Sequence, residues 1–238
     1  MLPSGPFPSR LAPLCLGLLL AACAPAPRPR VVLADPVTEL TAASPAAPQP
    51  ARAPEVPREA DEYTRYELLD PDSAQFHILF EVTAITPGAT VYFNPIRKGS
   101  VASGESVRDR ATSLPLPFEV VSGEEARKSG LPEADLGTDY IRVHLPHPVP
   151  AEGGVRLLIE KTYKDAQSYH RKGADGIVFA RPLGIRRNSV VLPAGYEIIS
   201  LNVPSQVRTE PDDRLVVSFL HTGPDAAPLV IEARRISR

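Results

Sequence analysis

The sequence predicts an all-β domain, an antiparallel β-sandwich of about nine to eleven strands, over residues 61–238. Three observations support this fold class. Apolar residues alternate with polar residues in several short stretches, which is the period of a strand with one buried face. Proline and glycine separate these stretches, as expected for short connections between strands. No repeat of fixed period indicates a propeller or a solenoid.

Composition excludes several classes of protein. The chain has 238 residues, a formal net charge of −2, and 26 basic residues that are spread along the sequence. A nucleic-acid-binding protein usually carries a basic stripe, so nucleic acid is not an expected partner. Both cysteines, Cys15 and Cys23, precede the predicted domain. The domain therefore contains neither a disulfide nor a thiolate zinc site, and its stability must come from a hydrophobic core.

Residues 1–22 have the layout of a secretory signal peptide. Arg10 precedes an apolar run from Leu11 to Ala24, which is 14 residues long and contains Pro13. A membrane-spanning helix needs about 20 apolar residues, so this run is too short to span a membrane. We therefore expect the segment to be removed from the mature protein.

The residues Leu20-Ala21-Ala22-Cys23 resemble the lipobox of bacterial lipoproteins. The resemblance implies that Cys23 receives a diacylglyceryl group on its thiol, becomes the first residue after cleavage, and is acylated on its amino group, with palmitate as a typical acyl chain. Each buried methylene contributes about 0.8 kcal/mol, so several chains hold a protein at the bilayer. Ala24 rather than Asp follows the cysteine, which by the enterobacterial sorting pattern implies the outer membrane. The alternative is a plain signal peptide with a chance cysteine.

Residues 23–60 are predicted to be a tether. Between Ala24 and Ala60, 9 of the 37 residues are proline, and many others are alanine. This composition buries too little apolar surface to offset chain entropy, so the segment is expected to stay disordered or extended. At about 3.1 Å per residue in polyproline II, it reaches on the order of 110 Å. The apolar patch at residues 31–33 either contacts the domain transiently or belongs to a plain spacer.

Beyond Asp61, alternation identifies the strands. In the most regular stretch, residues 76–84, every second residue from Phe76 to Ala84 is apolar, which predicts a strand with one buried face. A short helix is predicted only at residues 123–130, between two glycines. Further strands are predicted at residues 90–93, 118–121, 140–145, 155–163, 176–180, 189–192, 196–203, 215–220 and 229–234.

Two stretches resemble the amino-terminal β-sandwich of M1-family aminopeptidases. They are GVRLLIEKTY at residues 154–163, followed by a glycine-containing loop, and LPAGYEIISLNVP at residues 192–204. The resemblance implies a saddle-shaped sandwich that precedes a zinc catalytic domain and contributes to substrate contact rather than to chemistry. The His-Glu-x-x-His helix of that family is absent from this sequence, so the resemblance does not imply peptidase activity.

One group of residues is a candidate binding surface, because cations and aromatic rings follow one another at a strand end and in the later loops. Such side chains bind a carboxylate, a phosphate or a sugar chain. The alternative is that they coat an exposed sheet edge and prevent aggregation. The group comprises Lys161, Tyr163, Lys164, Tyr169, Arg171, Arg186 and Arg187.

No pattern in the sequence predicts catalysis, a metal or a cofactor. His144 and His147 are three residues apart with a proline between them, whereas zinc-binding helices place two histidines four residues apart on one face. The sequence has no Gly-x-Ser-x-Gly elbow, P-loop or dinucleotide-binding motif, each of which has a defined spacing. We therefore expect no catalytic residues.

These observations lead to two functional hypotheses. The first is a non-catalytic lipoprotein of the bacterial cell envelope, anchored in the bilayer through Cys23, whose sandwich binds an envelope protein or a glycan. The second is an envelope hydrolase of peptide or cell-wall substrates, with an unrecognised site around His144, His147, His170 or Asp165.

Overall fold

The structure, a computed structural model, describes residues 60–236. The predicted signal peptide, Cys23 and nearly all of the predicted tether lie outside these residues. The described part contains a 3-10 turn at Pro71–Ser73, the helix α1 (Gly123–Lys128) and fourteen strands. The strands are β1 (Glu62–Leu68), β2 (Gln75–Ala84), β3 (Val91–Pro95), β4 (Val101–Asp109), β5 (Phe118–Ser122), β6 (Asp139–His144), β7 (Val155–Lys164), β8 (Tyr169–Lys172), β9 (Gly176–Leu183), β10 (Arg187–Val191), β11 (Tyr196–Leu201), β12 (Gln206–Thr209), β13 (Leu215–Leu220) and β14 (Ala227–Arg235).

The strands form three sheets. A large sheet has the order β12-β13-β10-β1-β2-β7-β4, a four-stranded sheet has the order β11-β14-β9-β8, and a three-stranded sheet has the order β3-β6-β5. Within the described residues, the pairing of β1 with β10 is parallel and the other strand pairs are antiparallel. The sandwich is therefore antiparallel except at the centre of its large sheet.

The core lies between the large sheet and the four-stranded sheet. In β2 and β7 every second side chain is buried, which confirms the alternation predicted for residues 76–84 and 155–163. Phe76 of the large sheet packs edge-on against Phe179 of the four-stranded sheet, with ring centroids 5.4 Å apart. Burial of these apolar faces contributes roughly 25 cal/mol per Å², and it provides the main stabilisation of the domain.

The predicted helix is also present. Ser122 caps α1, since its hydroxyl accepts a hydrogen bond from the backbone N–H of Glu125 at 3.2 Å, as N-cap serines commonly do. The helix packs on the three-stranded sheet through Ala126, which contributes to a small second core with Val121 and Tyr140. No helix in the described part is long and apolar enough to cross a membrane.

The all-β sandwich is confirmed, but the predicted count of nine to eleven strands is too low. The four strands that the sequence did not indicate are β1, β4, β8 and β12. β8 and β12 have four residues each, with the sequences YHRK and QVRT, and β4 contains a bulge between Ser103 and Ser106. β8 and β12 bury few apolar side chains and are held by backbone pairing with β9 and β13. β1 does bury Tyr66 and Leu68 in alternation, a pattern of two residues that is too short to identify a strand.

Candidate functional site

The structure separates the residues of the predicted binding surface. Lys161, Tyr163 and Tyr169 are buried, with 4%, 2% and 0% of their surface exposed. In β7, Lys161 and Tyr163 continue the row of inward-facing side chains that includes Leu157 and Ile159. The expectation that these three side chains lie on a surface is therefore wrong, because the strand's alternation turns them towards the core.

Lys161 is a buried cation. Its Nζ donates hydrogen bonds to Oδ1 of Asn94 and, at 3.5 Å, to the carbonyl of Pro95. It also lies 5.2 Å from the centroid of the Tyr163 ring, where the ring quadrupole attracts a cation. Burial, and after it the charge of Arg181, lowers the pKa of Lys161 to about 8. The charged form is therefore held in the core at a cost, because desolvation disfavours it.

Arg181 of β9 faces Lys161 from the opposite sheet and is 5% exposed. Its Nη1 donates to Oδ2 of Asp165 at 3.1 Å and to Oγ of Ser168 at 3.3 Å. Asp165 also accepts hydrogen bonds from the Ser168 hydroxyl at 2.7 Å and from the backbone N–H groups of Gln167 and Ser168 at 3.1 Å. Burial opposes ionisation of Asp165, but the Ser168 hydrogen bonds and the Arg181 charge lower its pKa overall.

Aromatic rings surround the Arg181 guanidinium. Its central carbon lies 5.3 Å from the Phe76 centroid, 5.4 Å from that of Tyr163 and 6.0 Å from that of Tyr66. Cation–π contacts are strongest when the cation is desolvated, as it is here. Burial lowers the pKa of Arg181, and the rings together with Asp165 offset part of that cost.

Residues 94–100, which we call the cap segment, lie across these charges. Besides the contacts of Asn94 and Pro95 with Lys161, the Arg97 backbone N–H donates to the Tyr163 hydroxyl at 3.1 Å. The Ser100 hydroxyl donates to Asp165 at 3.2 Å. Lys161 therefore holds the end of β3, and Asp165 holds Ser100 in the connection between β3 and β4. We call the buried residues Lys161, Arg181 and Asp165 the charge cluster.

The other residues of the predicted surface are exposed or half-buried and lie in different places. Lys164 is exposed at the end of β7. Arg171 pairs with Asp72, and Arg187 pairs with Asp61. Arg186 directly precedes β10. These residues do not form one continuous patch with the buried three, so any binding by the exposed members must be local.

The residues proposed for a hydrolase site do not converge. His144 lies 2.8 Å from Glu119, and His147 contacts the carbonyl of Pro148 at 3.0 Å. His170 is exposed on β8, whereas Asp165 belongs to the charge cluster. In residues 60–236, no group of three or more His, Cys, Asp or Glu side chains is placed to hold a metal ion.

A cleft of about 580 Å³ opens on the outer face of the large sheet. Ser189 of β10 and Ser218 of β13 are opposite each other within this cleft, and their hydroxyls are 2.8 Å apart. Longer side chains, including Tyr63, Arg187 and Leu220, line it as well. The guanidinium carbon of Arg187 lies 5.9 Å from the Tyr63 ring centroid. The small serines thus leave a hollow between an aromatic ring, a cation and an apolar side chain.

A second cleft of about 520 Å³ adjoins the first one and shares Arg187 and Leu220 with it. It is also lined by Asp61, Glu62 and Arg186. We call the two clefts together the groove. Arg186 and Arg187, which belong to the predicted binding surface, are brought to one exposed concave feature by the fold.

Sequence reasoning missed most of the groove. Tyr63 and Glu62 lie more than 120 residues from Arg187 in the sequence, and they become its neighbours through the parallel pairing of β1 with β10. The charge cluster, in contrast, had a signal: Lys161 and Arg181 occupy inward-facing positions of alternating strands. A charged residue at a strand position where the alternation predicts a buried apolar residue indicates a buried ion that needs partners.

Comparison with known proteins finds no matching family model and no matching curated protein. A crystal structure of an M1 zinc metallopeptidase from Deinococcus radiodurans is similar, with 12% identity, a TM-score of 0.44, and coverage of 74% of this chain and 42% of that one. A mutant of that enzyme with a bound Tyr-Ser-Ala substrate has 13% identity, a TM-score of 0.43, and coverage of 74% and 43%. This chain spans less than half the length of those structures. This similarity carries no information about activity.

Replacing Lys161 with methionine should change how stability depends on pH. The pKa of Lys161 is about 8 in the folded chain against an ordinary value of 10.5, so between these values the unfolded state binds more protons. The free energy of unfolding of the wild type should therefore rise relative to Lys161→Met as pH increases from 8 to 10.5, by on the order of 2 to 3 kcal/mol. Urea denaturation of the full chain at several pH values measures this difference.

Lys164→Met is the matched control, since it removes the exposed lysine of the same strand and should keep the wild-type pH profile. If the free energy of unfolding of Lys161→Met depended on pH in the same way as that of the wild type, Lys161 would not be a buried cation with a lowered pKa.

Replacing Asp165 with alanine should leave Arg181 buried and unpaired. We expect a loss of about 3 to 5 kcal/mol in the free energy of unfolding. Combining Asp165→Ala with Arg181→Met should restore part of it, because apolar residues of similar volume replace buried ion pairs at little cost. The exposed pair of Arg214 with Asp212 supplies a control, in which Asp212→Ala should cost less than about 1 kcal/mol. A double variant as unstable as Asp165→Ala alone would refute this account.

Proposed function

We propose that this protein is a non-catalytic lipoprotein of the bacterial cell envelope, held at the outer membrane through acylated Cys23, and that its β-sandwich binds another envelope component. The groove is the observation that supports a binding role most directly. Its two clefts, of about 580 and 520 Å³, have volumes typical of ligand sites. Its lining combines an aromatic ring, cations, hydroxyls and an exposed leucine, which suits a protein segment or a glycan.

The positions of the titratable groups support a non-catalytic role. Nucleophilic or acid–base catalysis requires a nucleophile, a base and a charge stabiliser in mutual contact. Among the residues that the sequence offered, His144 contacts Glu119 at the protein surface and Asp165 is held by Arg181 in the core. Each of these groups already has a structural partner away from the groove.

The anchoring part of the proposal rests on the sequence Leu20-Ala21-Ala22-Cys23. Ala60 lines the second cleft and lies 37 residues after Cys23. A proline-rich chain of this length reaches on the order of 110 Å when extended. The binding domain would therefore be free to meet components well away from the lipid surface.

Replacing Cys23 with serine tests the anchor. The variant should lose incorporation of labelled palmitate and move from the membrane fraction to the soluble fraction, because the acylated thiol is the proposed attachment point. Cys15→Ser serves as the control, since Cys15 lies within the predicted signal peptide and the variant should behave like the wild type. Unchanged membrane fractionation of Cys23→Ser would contradict the anchoring proposal.

A photocrosslinking amino acid in place of Gln206 tests the groove. Gln206 is exposed and lines the first cleft, so in intact cells it should form a discrete adduct with an envelope component. The same amino acid in place of Glu133, which is exposed outside the groove, should not form that adduct. Equal adducts from the two positions, or none from Gln206, would contradict a binding role for the groove.

A further inference from the structure

A row of three hydrogen-bonding side chains crosses the floor of the first cleft. Gln206 of β12 lies opposite Ser218 of β13, which lies opposite Ser189 of β10, and all three residues line the cleft. The hydroxyls of Ser189 and Ser218 bond to each other. Two hydroxyls have more donors and acceptors than this one bond uses. Ser218 and the exposed amide of Gln206 can therefore also bond to a ligand.

A second row lies beside the first and supplies apolar surface. Tyr63 of β1 is the partner of Arg187 on β10, and Arg187 is the partner of Leu220 on β13. These three side chains also line the cleft. Leu220 is 66% exposed, and the guanidinium of Arg187 lies beside the Tyr63 ring. An aromatic ring and an aliphatic side chain thus lie next to a row of uncharged polar groups.

On the far side of the two serines, the outer face of the sheet is closed. Val191 and Val216 occupy the next outward positions of β10 and β13, lie opposite each other, and are both 0% exposed. Arg65, the partner of Ser189 on β1, donates two hydrogen bonds of 2.8 Å to Glu210. A ligand in the first cleft therefore meets the two rows and not a continuous flat sheet.

The charge in the first cleft is already paired within the protein. Of the described residues that line this cleft, Arg187 is the only charged one. Its Nη2 donates to a carboxylate oxygen of Asp61, and its Nε donates to the carbonyl of Glu62 at 3.3 Å. A guanidinium has five N–H groups, so Arg187 can still donate to a ligand. An anion would have to compete with Asp61 for this cation, and the cleft therefore favours a neutral ligand.

A sugar chain matches this lining better than an extended peptide does. An extended peptide carries N–H and C=O groups along its length, which are usually matched by the free backbone of a sheet edge. β10 and β13 each pair with a strand on both sides, so the floor of the cleft offers side chains alone. Sugar hydroxyls both donate and accept hydrogen bonds, and the C–H groups of a sugar ring suit the negative face of an aromatic ring.

The extent of the lining indicates a ligand longer than one sugar ring. Gln206 and Tyr63 lie at opposite ends of the cleft, on β12 and β1, which are three strand spacings apart in the sheet. With neighbouring strands about 4.8 Å apart, this separation is on the order of 14 Å. A ligand that contacts both residues must therefore lie across the strands as an oligosaccharide.

We propose that the first cleft binds a neutral oligosaccharide segment of an envelope glycan. Tyr63 contacts the C–H face of one sugar unit, and Leu220 supplies apolar contact further along. Hydroxyls of the sugar units bond to Arg187, Ser218 and Gln206. This inference rests on the proposed function and deepens it, because the first cleft is part of the groove.

Calorimetric titration of the full chain, in a zwitterionic detergent, with neutral linear tetrasaccharides tests the site. The probes are the tetrasaccharides of glucose, of mannose and of N-acetylglucosamine, and at least one of them should bind and saturate. The corresponding monosaccharide should bind at least about tenfold more weakly, because it reaches only part of the two rows. Raising the salt concentration should leave the affinity unchanged, since the ligand carries no charge. Failure of all three probes, or binding that is lost at high salt, would overturn the inference.

Variants of the two ends of the cleft locate the binding. Tyr63→Ala should raise the dissociation constant of the tetrasaccharide by about tenfold, because the contact of the ring with the sugar is lost. Gln206→Ala should also weaken binding, and this exposed position on an edge strand should leave the melting temperature unchanged. Gln167→Ala is the matched control, since Gln167 is exposed outside the groove and should not affect the affinity. Unchanged affinity in both Tyr63→Ala and Gln206→Ala would refute the proposed site.

The adduct formed by the photocrosslinking amino acid in place of Gln206 distinguishes a glycan from a protein partner. After protease digestion, mass spectrometry should find sugar units of repeating mass attached to the peptide that carries position 206. If the adduct is a protein without sugar and no tetrasaccharide binds, the glycan inference is wrong and the groove remains the binding face. If no adduct forms and no tetrasaccharide binds, the proposed function is refuted as well.

Discussion

The ion pair between Arg181 and Asp165 is the interaction on which the interior of the sandwich depends. It joins β9 to the end of β7, and its carboxylate also holds Ser100 of the cap segment. Removing two charges from water costs several kcal/mol per ion, which is recovered only when geometry and hydrogen bonding are complete. Asp165 meets this condition through Ser168 and the backbone, and Arg181 through three aromatic rings. The packing of these rings is therefore tied to the position of one guanidinium.

The desolvation cost of Lys161 is only partly recovered, because no carboxylate of the described residues pairs with it and its pKa is lowered. Lys161 also lies near the Tyr163 ring, and its hydrogen-bond partners are an amide and a carbonyl. A methionine of similar length would fill the same space without the desolvation cost. The lysine gives the cap segment a specific contact with Asn94, and we infer that this contact fixes the path of residues 94–100 over the core.

The groove follows from one parallel strand pair. β1 and β10 are separated by more than 100 residues, and their pairing places residues 63–67 beside residues 187–191. Exposed side chains of the outer face form the first cleft, and the strand ends form the second. Core and groove are thus opposite sides of the same strands, which gives the groove a rigid floor.

The sequence by itself determined the fold class, most of the strands and the helix at Gly123–Lys128, because alternation and turn residues are local signals. It also predicts membrane attachment through Cys23 and a proline-rich tether. It did not reveal β4, β8 or β12, which carry few buried apolar residues, or β1, whose buried apolar residues are only Tyr66 and Leu68. Alternation along β7 already places Lys161 and Tyr163 on the apolar face of their strand, whereas only the tertiary structure decided that Arg187 lines a groove beside Tyr63. The physical reason is that a side chain's environment depends on which strands become neighbours, and that choice is made by the chain as a whole.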